Sequence, residues 1–83
     1  MLAPEQVRLY IEQGLETEYV RVEGDGHHFE AVIVSPAFRG KSKVQQHQLV
    51  YRALGERMRE EIHALSMQTL TPEDWAQRQE LSR

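Results

Sequence analysis

The chain has 83 residues, a formal net charge of −3, 40% hydrophobic and 28% charged residues, and no cysteine. That length accommodates one small core and not two, so residues 1–83 are expected to form a single domain. Without cysteine the chain cannot build a disulfide scaffold, a thiol nucleophile or a thiolate metal site of its own.

Pro4 suits a first helical position and Glu5 sets a negative charge at the positive end of the helix dipole. Val7, Tyr10 and Ile11 follow at helical spacing, and Gly14 offers a left-handed stop, which predicts a helix over Pro4 to Gln13. Glu18 to Glu23 alternates with period two, with Val20 and Val22 on one face, as in a half-buried strand. Gly24-Asp25-Gly26 carries turn chemistry, and His28 to Val34 is β-branched and apolar, so the two strands form a hairpin. Ser35-Pro36 ends the second strand. Ser42 is a natural N-cap for a helix over Lys43 to Leu54, whose stripe of Val44, His47, Tyr51 and Leu54 continues to Met58. Gly55 breaks or bends it, and Glu56 to Glu61 reads as a short charged continuation. A third strand follows, with His63, Leu65 and Met67 on one face and Ile62, Ala64 and Ser66 on the other. Thr71-Pro72-Glu73-Asp74 opens a last helix with Trp75 as its core anchor. The order αββααβα predicts an α+β two-layer sandwich. Its three-stranded mixed sheet carries helices on one face.

The charge is uneven: residues 1–30 sum to −5, residues 31–55 to +4 and residues 56–83 to −2. The basic middle, Arg39, Lys41, Lys43 and Arg52, is the candidate contact for phosphates, although nucleic-acid domains usually carry a larger excess. The longest aliphatic run is Ala31-Val32-Ile33-Val34, far short of a bilayer span. The N-terminus shows no secretory or lipidation signal, so a cytoplasmic protein without a membrane role is expected.

No catalytic constellation stands out, which predicts a non-enzymatic protein. Gly24-x-Gly26 precedes a strand rather than a helix, and no serine sits in a nucleophile motif. Four histidines are present: His27, His28, His47 and His63. If the third strand runs parallel to the second, His63 and the His27-His28 pair come to the same end of the sheet, where two imidazoles could share a metal. Two imidazoles do not complete a site, so a partner would have to finish it.

Several segments in one order resemble the BolA family, and within it the acid-stress branch of IbaG/YrbA-like proteins. They are Gly24-Asp25-Gly26-His27-His28-Phe29, Phe38-Arg39-Gly40-Lys41-Ser42-Lys43-Val44, His47-Gln48-Leu49-Val50-Tyr51, and Ile62-His63-Ala64-Leu65-Ser66 leading to Thr71-Pro72-Glu73-Asp74-Trp75. The resemblance implies a class II KH-like fold. It also implies a monothiol glutaredoxin as partner and a [2Fe–2S] cluster shared with that partner and its glutathione, with none in the isolated chain. His63 would be the ligand near the start of the last strand and His28 the loop ligand, with His27 as the alternate. The family is also linked to DNA binding through a helix-turn-helix-like segment, here about Gly40 to Glu61. The Gly-x-x-Gly loop of KH domains is missing. The sequence leaves open whether the isolated chain is a homodimer.

Overall fold

The computed structural model describes residues 2–62 and 64–81. Helix α1 spans Pro4–Gly14, strand β1 Tyr19–Gly24 and strand β2 His28–Val34. A 3-10 turn at Pro36–Phe38 leads to helix α2, Lys43–Leu54. A single turn of helix α3, Arg57–Glu60, precedes strand β3, Ala64–Leu70, and helix α4, Pro72–Leu81. Strand β1 pairs antiparallel with β2, and β2 pairs parallel with β3, in the order β1-β2-β3. The expected α+β sandwich with a mixed three-stranded sheet is the fold that forms.

The elements have local causes. Ser42 accepts the Gln45 N–H through its hydroxyl, and the Gln45 side chain accepts the Ser42 N–H at 2.9 Å, a reciprocal cap that starts α2. Thr71 caps α4 by accepting the Asp74 N–H at 3.1 Å. Gly14 departs from its expected role. It has no positive φ and closes α1 from within. A β-carbon there would lie 2.7 Å from the Ala53 carbonyl oxygen, so glycine lets α1 and α2 touch backbone to backbone.

Val7 and Ile11 of α1, Val20 of β1, Phe29, Ala31 and Ile33 of β2, and Val50 and Leu54 of α2 share one core with Phe38 and Ile62. The α2 stripe read from spacing enters this core only at its C-terminal end: Leu54 is buried and Met58 packs against the core, but Val44 is 67% exposed and Tyr51 42%, and Gln46 and Val50 are buried in their place. The inward face is turned from the apolar spacing because one of its positions is held by the amide of Gln46. That amide accepts the Thr69 hydroxyl at 2.6 Å and donates to the carbonyls of Phe38 at 3.3 Å and Lys41 at 3.1 Å. Trp75 is also not a core anchor. It is half-buried and stacks on Tyr19 at 4.9 Å between ring centroids, on a residue that alternates with the core-facing Val20. With Arg78 donating to Gln68 at 2.9 Å, α4 docks on side chains of β1 and β3 that point away from that core, so the helices do not all lie on one face of the sheet as expected: α1 and α2 cover one face and α4 the other. The third strand lies further along the chain than its pattern suggests, because Thr69 and Leu70 continue the ladder opposite Ile33 and Val34. Among the described residues, no helix is long and apolar enough to cross a membrane, and no buried side-chain nitrogen or oxygen lacks a partner.

Gln46→Leu should therefore cost about 1–3 kcal/mol, because it leaves the Lys41 carbonyl and the Thr69 hydroxyl without their partner and takes from the Phe38 carbonyl one of its two bonds, the other coming from the Lys41 N–H. Urea unfolding of Gln46→Leu, Thr69→Val and the double variant would check this. Strictly additive losses would show that the two side chains do not act as a pair.

Candidate metal-ligand end of the sheet

The parallel pairing of β2 and β3 brings both strand starts to one end, with His28 opposite Ala64 in register. The His27 carbonyl accepts the Ala64 N–H at 3.2 Å, which ties the hairpin loop to the first residue of β3. The condition set by the sequence for two histidine-bearing segments to meet is thus fulfilled for the backbone on which His28 stands. His63 lies outside the described residues.

Asp25 organises the loop. One carboxylate oxygen accepts the backbone N–H of both His27 and His28 at 2.9 Å. Gly26 follows at φ +99°, a conformation that a side chain would strain. The two N–H bonds hold the Asp25 carboxyl below its ordinary range, the His28 bond contributing most and the His27 bond next. Phe29 is fully buried, so His28 points to the opposite face of the sheet, and both His27 and His28 are exposed. Sequence reasoning missed Asp25. The available signal was its position two and three residues before the histidines, the spacing of an Asx turn.

Among the described residues, no three His, Cys, Asp or Glu side chains gather where they could hold a metal ion. His47 is half-buried on α2, well along the chain from this end. The basic segment divides in two. Arg39 grips Glu73 of α4 through two N–H···O bonds of 2.9 and 2.6 Å, which hold the exposed Glu73 carboxyl below its ordinary range. The Lys43 ammonium donates to the Thr69 carbonyl. Lys41 and Arg52 instead share an exposed groove with Gln45, Gln48 and Leu49. The Arg39–Glu73 pair joins positions 34 apart, which no local pattern reveals.

Because the Asp25 carboxyl titrates low in the folded chain, its contribution to loop order is fully present above the unfolded value, about 3.9. It is lost as pH falls through the folded value. Asp25→Ala should remove that acid dependence and speed amide exchange at His27 and His28 at neutral pH. Unchanged exchange at both amides would refute the role given to Asp25.

A family model for BolA-like proteins matches residues 1–74. The chain is 35% identical to the DNA-binding transcriptional regulator BolA of Haemophilus influenzae, covering 83% of this chain and 81% of that protein. It is 35% identical to the acid stress protein IbaG of Escherichia coli, covering 93% of each. It is 36% identical to mouse BolA-like protein 1 over 90% of this chain, and spans 62% of that protein's length. A solved structure of a BolA protein homologue from Coxiella burnetii matches with a TM-score of 0.82 and 43% identity, over 92% of this chain and 99% of that one. By sequence over most of its length, and by fold, the chain belongs to the BolA family.

Proposed function

We propose that the protein is a non-enzymatic iron–sulfur adaptor of the cytoplasm. It binds a monothiol glutaredoxin and shares a [2Fe–2S] cluster with it, in cluster assembly, transfer or iron and stress sensing. The ligands from this chain are His63 and His28, with His27 as the alternate.

The observation that carries this reading is the register of the two parallel strands. The exposed His28 stands directly opposite Ala64, the residue that follows His63 in the chain. The donor set fits a shared cluster better than a resident one. The chain has no cysteine, and its described residues gather no set of three metal-binding side chains. Thiolates from the glutaredoxin and from glutathione would supply the rest. Imidazole in place of thiolate removes negative charge from one iron and raises the cluster potential. Imidazole also takes up a proton near neutral pH, which suits a cluster that must be released.

Reconstitution with a cluster-loaded monothiol glutaredoxin, followed by visible absorption and circular dichroism, tests the assignment. His63→Ala and His28→Ala should each keep a native far-ultraviolet spectrum and alter the cluster spectrum of the mixed complex. A spectrum unchanged by His63→Ala would sink its ligand role. A spectrum altered by His27→Ala and not by His28→Ala would move the loop ligand one residue back.

DNA binding is the second reading, supported by the name of the Haemophilus relative and by the groove that Lys41 and Arg52 share. The internal partners of Arg39 and Lys43 weaken it. Two free cations imply a salt slope near −2 on duplex DNA, at about −0.9 per phosphate contact, and all four would give no more than about −4. The acidic thirds of the chain repel the duplex further. Binding by the isolated chain should therefore be weak, lost at moderate salt and abolished by Lys41→Ala with Arg52→Ala. Tight, sequence-selective binding at physiological salt would put DNA regulation first.

A further inference from the structure

Strand β3 is an edge of the sheet, and its ladder leaves half its backbone unused. The Ala64 N–H points to β2, as does the Leu70 carbonyl, which accepts the Ser35 N–H at 3.1 Å. Residues 64, 66, 68 and 70 therefore turn their backbone groups inward, and Leu65, Met67 and Thr69 turn theirs outward. The Thr69 carbonyl is covered by the Lys43 ammonium. The outward N–H and C=O groups of Leu65 and Met67 have no partner among the described residues. The strand carries no charged residue and no proline, two of the devices that normally keep an edge from pairing.

Above this edge hangs the apolar flank of α2 that the core does not use. Lys43 reaches the outer side of β3, whereas Ala53 meets Gly14 of α1 on the other side of the helix. Proceeding around α2 from Lys43, away from Ala53, come His47, Tyr51 and Val44. Val44 and Tyr51 are among the large hydrophobic residues this protein leaves exposed. The helix runs antiparallel to β3, since its first residue lies at Thr69 and its last leads through α3 back to Ala64.

We infer that the β3 edge and the Val44–Tyr51 flank of α2 form the interface of a homodimer, in which two copies join their sheets into one of six strands. The occupant is a second copy because the surface complements itself. A two-fold axis through Ser66, perpendicular to the sheet, sets Leu65 of one copy opposite Met67 of the other. Every outward group of those residues then finds a partner. The same axis keeps both α2 helices on one side of the joined sheet and directs Val44 of one copy toward Tyr51 of the other. No charge on the strand opposes its own image. The lysine at Thr69 in each copy limits the paired stretch, so the interface is small and the association weak and concentration-dependent. This inference does not depend on the iron–sulfur reading.

Sedimentation velocity of the full chain across a concentration series tests it, with amide exchange read at the same concentrations. The dimer fraction should rise with concentration, and exchange at Leu65 and Met67 should slow with it. Met67→Pro removes an outward N–H at a position where an edge strand tolerates proline; it also shortens a side chain packed against the core, so the expected product is a less stable but folded monomer. If that variant does not fold, Val44→Lys with Tyr51→Lys, at exposed helix positions, gives the same reading. A wild-type chain that stays monomeric at millimolar concentration would overturn the inference. A Val44→Lys, Tyr51→Lys chain that dimerises like the wild type would do so as well.

Discussion

The parallel pairing of β2 with β3 dictates the path of the chain through this small domain. A parallel neighbour cannot be reached by a tight turn, so the chain must leave the end of β2, cross over the sheet and return to its start. Helices α2 and α3 are that crossover, and they supply much of the cover for the sheet's apolar face. The same crossover delivers the beginning of β3 to the hairpin loop. A single topological requirement thus creates both the core and the candidate site.

Two polar devices hold the crossover in place. At its start, the buried amide of Gln46 satisfies the Phe38 and Lys41 carbonyls of the connecting segment and receives the Thr69 hydroxyl. A helix, a loop and a strand are thereby locked at one buried point, where an unmatched polar group would be costly. At the far end, the Ala64 N–H bonds the His27 carbonyl, and Asp25 orders the loop from the other side. The first device is buried and the second exposed, as expected for a fixed scaffold that presents a loop able to meet a partner.

The charged residues are divided between structural and available roles. Arg39 and Lys43 secure α4 and β3, so they are tied to the fold although both are exposed. Lys41 and Arg52 remain on the surface. Counting the basic segment from sequence as four phosphate contacts treats these groups alike. The folded chain separates them by what lies within reach of each long side chain.

Much of the architecture was legible because its signals are local. Alternation marked β1, a β-branched apolar run marked β2, Ser42 and Thr71 marked helix starts, and Gly24-Asp25-Gly26 marked the hairpin. The histidines, the lack of cysteine and the segments shared with the BolA family were likewise present in the amino-acid order. Other features required the tertiary structure. The face of α2 that is buried depended on the pairing of Gln46 with Thr69, a residue 23 positions away. Trp75 became a surface stacking partner because Tyr19 was there to meet it. Gly14 served helix contact rather than helix termination because Ala53 lies against it. Local order along the chain sets which elements form and which chemical groups they carry, since propensities, caps and turns act over a few residues. Which groups hold the fold and which face solvent emerges on folding, because it follows from contacts between segments distant in the chain.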